Sequence, residues 1–405
     1  MSPYVGVVRG VDEVLAQPSD IRLANVLCET GFAELLIGHG ATHLGSGSGS
    51  ARAARAAAIA EAVERYSACW FDDVDAIVAT AAELGDRAVE PARFALFSER
   101  QHRSPGFPYA RFTDETRVAW VSAVSLPERD RVLVPAQLVY LGWTLRPGEE
   151  RIAHATSNGL ACGPTFSAAA LSGLLELVER DAFMITWNAR LSWPLLEWPD
   201  NLRLAAFERR FVRPTGLRVS AVDLSAFWRV PCVLGVARSP LSGDAPFGVG
   251  AGAALTVERA VEKAIDEAVR VRSWASALRA YGTPPPAREA IREFDEHIHY
   301  YAYEEHAAAA DFLDASEERR DVSSIPTVTA VESVRAYAVD VTAPDVRAAG
   351  LRVVKVVAPE LCALDVVHAC RFLGGRRLYD EPARLGMRAR ALREDEINPD
   401  PHPFP

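Results

Sequence analysis

Hydrophobic and polar positions along the 405-residue chain follow two rhythms. The first is the i, i+3, i+4 spacing of helices. It is clearest over residues 51–70 (ARAARAAAIAEAVERYSACW), in the run that ends GLLELVERD at Asp181, and over 257–272 (VERAVEKAIDEAVRVR). A further helix is expected over 23–37. The second rhythm consists of shorter apolar stretches suited to strands, at 118–126, 132–140, 217–223, 230–238, 335–341 and 350–357. The stretches at 217–223 and 230–238 flank a proline-bearing turn and should form a hairpin. These elements describe a mixed α+β chain, its sheets covered by helices in one large domain. Residues 283–325 spread charge over a helical pattern, and most of them are expected to be solvated surface. His297, His299 and His306 are expected there as surface residues rather than ligands.

Each of the three clear helices follows a glycine-rich stretch: GHGATHLGSGSGS at 38–50, SNGLACG at 157–163 and FGVGAGAA at 247–254. These read as turns whose backbone N–H groups could receive an anion at a helix start. The first is no Walker A loop, because no Gly-Lys-Ser/Thr follows. His39 and His43 have the spacing of a zinc pair but no third ligand nearby, so they read as ordinary polar residues. The helices repeat one arrangement of charge. Glu61, Glu64 and Arg65 recur as Glu176, Glu179 and Arg180, and the third helix carries Lys263, Glu267 and Arg270. Residues three and four apart share a helix face, so each glutamate pair repels itself unless a cation lies beside it. Ala54, Ala57, Ala58 and Ala68 flank the first pair, and Ser172 and Gly173 lie beside Glu176. A face turned to water carries long polar side chains. Short ones there mean close packing, by another element with a buried ion pair or by a ligand; both readings stay open at this point.

Composition narrows the field. A net charge of −10 argues against a nucleic-acid partner. The six cysteines are scattered and fit reduced thiols in a cytosolic protein. The sequence offers neither a signal peptide nor an apolar run long enough to span a membrane. Only two lysines, Lys263 and Lys355, stand among 44 basic residues, so a lysine at a motif position attracts notice. The final NPDPHPFP has the composition of a disordered tail.

EAVERYS at 61–67, SNGLACG with GLLELVERDA at 157–182, RLYD at 377–380 and the PHPFP ending resemble the YcaO family. The likeness is to its azoline-forming cyclodehydratases of ribosomal peptide biosynthesis and runs over about residues 38–405. It implies an N-terminal segment (1–37), a catalytic domain (38–385) and a proline-rich tail (386–405). It also implies ATP and Mg²⁺ as cofactors. Glu61, Glu64, Glu176, Glu179 and Glu267 would hold the metals, Glu61 and Glu64 also orienting the nucleotide. Ser157, Asn158, Arg180, Lys263 and Arg270 would contact nucleotide or phosphate. Hard Mg²⁺ prefers oxygen ligands and bridges carboxylates to phosphates, which would relieve the repulsion between the glutamates. By the same resemblance, a Cys, Ser or Thr side chain of a precursor peptide attacks the preceding carbonyl, whose oxygen ATP then phosphorylates. Loss of phosphate leaves a thiazoline or oxazoline. Pro401, Pro403 and Pro405 would form a stiff polyproline strand that brings the Pro405 carboxylate to the reaction as a base. A leader-binding partner of the E1-like or ThiF-like kind, a possible dehydrogenase and a homodimer complete the expectation. The chain departs from the family pattern at Ser48, Ala57, Lys263 and Arg270. Thioamide or macroamidine chemistry and a non-catalytic scaffold role are the alternatives.

Overall fold

A computed structural model describes residues 6–17, 19–31, 44–71, 74–126, 128–241, 243–331 and 334–404. The chain divides into two compact units. The first takes residues 1–15, 23–177 and 333–361, the second 16–22, 178–332 and 362–405. Neither 37/38 nor 385/386 is a boundary between them.

The first unit holds two antiparallel sheets. One has the order β1 (Val8–Val14), β2 (Ala24–Thr30), β3 (Leu44–Gly49). The other runs β4 (Ile77–Ala79), β5 (Val118–Leu126), β13 (Ala336–Asp340), β14 (Arg352–Val357), β7 (Leu160–Gly163), with β6 (Arg131–Pro135) paired to β5. Helix α1 (Ala51–Ala68) lies on this unit's core, where Ala54, Ala58, Ala62 and Tyr66 meet Val26, Cys28, Val121, Val339 and Val353.

The second unit has one sheet, β11 (Phe247–Ala253), β10 (Cys232–Arg238), β9 (Arg218–Asp223), β8 (Leu195–Glu197), β12 (Arg319–Asp321). Strands β9 and β10 pair antiparallel, the expected hairpin. Helix α3 (Val257–Ala280) buries Ala260, Val261, Ala264 and Ile265 against Leu204, Ala221 and Val233. Helix α2 (Phe166–Ala189) carries the chain from the first unit to the second after Leu177. Each of the three long helices starts at a hydroxyl that accepts from the backbone N–H three residues on: Ser50 from Ala53, Thr165 from Ala168 and Thr256 from Arg259.

The glycine-rich stretches are not the turns that the sequence suggested. Residues 44–49 and 247–253 are strands, and in 157–163 only the start turns, before β7. The reason is steric. A Cβ on Gly47 would lie 2.0 Å from the Ala54 carbonyl oxygen, and one on Gly45 2.2 Å from that of Ala58. On β11, a Cβ on Gly248, Gly250 or Gly252 would come within 2.4 Å of α3 backbone atoms. Glycine every second residue bares one face of a strand, and the alanine face of the following helix settles onto it. Of the alanines singled out by the sequence, Ala54, Ala58 and Ala68 are fully buried, so another element packs there; Ala57 is exposed.

Other expectations are corrected as well. Residues 24–30 form β2 rather than a helix, burying Val26, Cys28 and Thr30 in strand alternation while Leu27 stays exposed. Residues 32–37, with His39 and His43, lie outside the described residues. The stretch 132–140 is a strand only to Pro135, after which Ala136–Leu138 turns. Region 283–325 is not all solvated surface. It contains α4 (Phe294–Tyr300) and buries Ile291, Ile298, Tyr301 and Leu313. His297 is fully buried, its Nδ1 and Nε2 each 2.9 Å from a carbonyl oxygen, of His402 and Val366 respectively. His306 stacks on Tyr300, and His299 packs at a tilt on Tyr303.

Gly47→Ala should therefore cost about 1–3 kcal/mol or more through overpacking. Gly10→Ala, where a Cβ meets nothing nearer than 3.5 Å, should cost far less. Denaturant melts of the two variants compare the costs.

Candidate functional site

Strands β3, β7 and β11 each end a sheet. An edge strand presents N–H groups with no strand partner, and here helix glutamates accept from them. In the first unit, Ser46 N and Oγ both donate to Glu61 Oε2, at 2.7 and 3.1 Å. Cys162 N donates to Glu64 Oε1 at 2.7 Å. Arg65 spans one helical turn to Glu61 Oε1 at 2.7 Å and also donates to the Leu44 carbonyl. Arg65 is thus the cation beside Glu61. Among the described residues Glu64 makes no ion pair, although the Arg65 charge partly favours its ionised form. Burial drives its carboxyl well above the usual range, and the charges of Glu61 and Glu176 add to this against the Cys162 N–H.

Glu176 acts on a second group of the first unit, Lys355 of β14. This ammonium is 3% exposed and donates to the Thr156 carbonyl at 2.6 Å. Burial lowers it to about 8, with Glu176 opposing the shift. Thr156 leads directly into Ser157 and Asn158. Gly159 has φ of +77°, and Leu160 N closes the turn onto the Ser157 carbonyl at 2.9 Å. A Cβ on Gly159 would lie 2.4 Å from the Val356 oxygen, so the turn sits tight against β14 with Asn158 buried.

The second unit repeats the device on β11. Ala251 N donates to Glu267 Oε2 at 2.8 Å, and Ala253 N to Glu179 Oε2 at 2.9 Å. Lys263 reaches the same Glu179 oxygen at 2.8 Å; half of its side chain is exposed, whereas Glu179 is 1% exposed. Burial would raise Glu179, but Lys263 and Arg180 more than offset it and hold the carboxyl below its usual range. Glu267 moves the other way, raised by burial and by the Glu179 charge. Burial works against the Lys263 charge, yet Glu179 and Glu267 keep its pKa above the ordinary value. Arg270 pairs with Asp266 within α3 at 3.2 Å.

Past Glu179, helix α2 meets the C-terminal residues. The Arg180 guanidinium lies 4.2 Å from the centre of the Phe404 ring. Asp181 is fully buried and accepts from Arg377, Trp228 Nε1 and Cys362 N. Arg377 opens the RLYD motif on α5 (Arg376–Arg384), so that motif serves to anchor this end of α2. The proline-rich tail is not disordered. Residues 401–404 are buried. Trp187 Nε1 donates to the Asp400 carbonyl and Tyr301 Oη to that of Pro401; the His402 ring stacks on His297 at 4.0 Å. Pro401 and Pro403 are thereby held in the second unit, and Pro405 lies outside the described residues.

The structure thus gathers the expected residues in two sets, Glu61, Glu64, Glu176, Ser157 and Asn158 in one unit and Glu179, Arg180, Lys263, Glu267 and Arg270 in the other. Lys355, Asp181 and Arg377 belong beside them and were missed. The scarcity of lysine made Lys355 noticeable; Arg377 and Asp181 lay within the RLYD and GLLELVERDA motifs, but nothing in the sequence paired them. Carboxylates with one oxygen fixed by a backbone amide suit a hard cation in kind. Among the described residues no three or more His, Cys, Asp or Glu side chains already form a metal cage.

Glu64 makes a pH-dependent prediction. Its folded pKa lies above its unfolded one, so ionising it costs stability. That cost is absent below the unfolded value and complete above the folded one. Glu64→Gln keeps an acceptor for Cys162 N and removes the cost. At pH 8 without ligand its thermal midpoint should rise by about 2–4 °C, and the gain should vanish near pH 4. Melts at the two pH values check this.

Comparison with known proteins gives the chain its kin. The family profile described as YcaO cyclodehydratase, ATP- and Mg²⁺-binding, matches residues 45–362. An uncharacterized protein of Methanothermobacter thermautotrophicus is 30% identical over 251 residues, 60% of either chain. A heterocyclase solved in complex with substrate and cofactor superposes on the whole chain with a TM-score of 0.81 at 27% identity. This chain spans only 56% of that heterocyclase. YcaO from Methanopyrus kandleri, bound with AMPPCP and Mg²⁺, shares the fold at 19% identity, with a TM-score of 0.60 over 90% of this chain and 88% of that one. ATP and Mg²⁺, the cofactors expected from the sequence, are those that the family's description carries. With the profile matching most of its length, this chain belongs to the YcaO family.

Proposed function

We propose that the chain is an ATP-dependent cyclodehydratase that converts Cys, Ser or Thr of a ribosomally made precursor peptide to thiazoline or oxazoline. Glu61, Glu64, Glu176, Glu179 and Glu267 would hold Mg²⁺, and Ser157, Asn158, Arg180, Lys263 and Arg270 would contact nucleotide or phosphate. When bound, ATP supplies the phosphoryl group that makes the amide oxygen a leaving group. The chain's own part is placement and neutralisation, the main levers in phosphoryl transfer. Glu61, Glu64, Glu179 and Glu267 are prepared for it, because edge-strand amides fix their positions before any cation arrives. Lys263 holds Glu179 ionised, and Arg180 brings a cation beside the tail.

The observation that carries the choice of chemistry is the Arg180 guanidinium over the Phe404 ring. A proline-rich tail packed against the motif helix suits a terminal carboxylate acting as base at the peptide. We also propose that a separate E1-like or ThiF-like protein presents the leader peptide, and that the working assembly contains two copies of this chain. Among the described residues, no helix is long and apolar enough to cross a membrane.

The test is to incubate the chain with Mg·ATP, a leader-bearing peptide and the candidate partner, then weigh the product. Loss of one water per ring is expected. Thioamide formation would instead exchange oxygen for sulfur, and a scaffold would not bind nucleotide at all. A chain truncated before Phe404 should still bind Mg·AMPPCP but form rings at least ~100-fold more slowly, the loss typical of a removed general base.

A further inference from the structure

Each lysine of this chain lies in the field of a glutamate of α2. Lys263 meets Glu179 in the second unit, and Lys355 lies in the field of Glu176 in the first. Every other basic position is arginine, so two lysines in these two places call for a physical reason. A guanidinium is a broad planar fork, whereas an ammonium is a compact charge with three donors. Lys355 is almost fully buried and its Nζ is hydrogen-bonded to the Thr156 carbonyl. Strand β14 holds the side chain in place through antiparallel pairing on both sides, with β13 and with β7. One ammonium is therefore tied to the backbone that leads into Ser157 and Asn158 while its charge acts on Glu176.

We propose that Lys355 is a positioning residue of the nucleotide site, joining the turn at 156–158 to Glu176 and balancing that carboxylate's charge. This rests on the reading of Glu176, Ser157 and Asn158 as nucleotide and metal contacts. Without the ammonium, Glu176 loses the favourable charge beside it, and the turn loses the tie at Thr156. Lys355 does not itself touch the reacting groups. It acts through Glu176 and the turn, and its effect depends on the Glu176 charge. A residue that only filled space would have no such dependence.

The experiment is a titration with Mg·AMPPCP, read as a dissociation constant, on wild type, K355M, E176Q and the double variant. K355M keeps the apolar stem and deletes the charge. It should bind about tenfold more weakly than wild type, the size of coupling common between groups in one network. In the E176Q background the same change should cost less than about twofold. Should K355M fail to fold, K355Q takes its place; it deletes the charge but keeps a donor for Thr156, so its loss should be smaller than that of K355M and should still fall away in the E176Q background. Binding by K355M as tight as wild type overturns the proposal, and so does an equal loss with and without Glu176. A wild-type chain that binds Mg·AMPPCP but closes no ring overturns the cyclodehydratase reading and leaves Lys355 to be judged on binding. A wild-type chain that binds no nucleotide overturns both.

Discussion

A carboxylate can accept from the outer edge of a strand only if its helix runs close beside that strand. Here the closeness comes from glycine facing alanine. Strands β3 and β11 show glycine at every second position, and α1 and α3 lay Ala54 and Ala58, or Ala264 and Ala268, against them. With no side chains between the two backbones, Glu61 reaches Ser46 N and Glu267 reaches Ala251 N. One constraint thus closes two sheet edges that would otherwise stand open to other chains, and it fixes acidic oxygens where a mobile side chain would wander.

The two units treat the same device with opposite electrostatics. Glu64, half-buried beside Glu61 and Glu176, has its carboxyl raised well above the usual range, whereas Glu179 is kept ionised by Lys263 and Arg180. Glu267, beside Glu179, is raised in turn. Each unit thus holds one carboxylate satisfied by a cation and one that is not, Glu61 and Glu64 in the first, Glu179 and Glu267 in the second. The unliganded fold bears the cost of keeping Glu64 and Glu267 where they are.

Much of this could be read in the sequence because it depends on local order. The repeated pairing of a glycine-rich stretch with a carboxylate-bearing helix was visible, as were the hairpin at β9 and β10 and the strand at β5. What the glycines were for was not visible, since the same letters serve a turn that bares N–H groups and a strand that admits a helix. The difference lies in Ala54 and Ala58, which mean little until the helix is set against the strand. His297 looked like surface because its neighbours in sequence are charged; its neighbours in space are His402 and Val366, far along the chain. Asp181 and Arg377 are likewise distant in sequence, and no spacing rule joins them. Family likeness suggested the roles proposed for the glutamates, and the fold alone would not have done so.

The glycine faces of β3 and β11 also bear on heredity. Any single-base substitution that turns a glycine codon into that of another amino acid adds at least one carbon. At Gly45, Gly47, Gly248, Gly250 and Gly252 that carbon would meet helix backbone, which cannot swing aside as a side-chain tip can. Point mutation therefore has no gentle first step at these sites. Change there must await a compensating shift of the whole helix, and so the two strands are expected to be among the slowest-drifting parts of the gene.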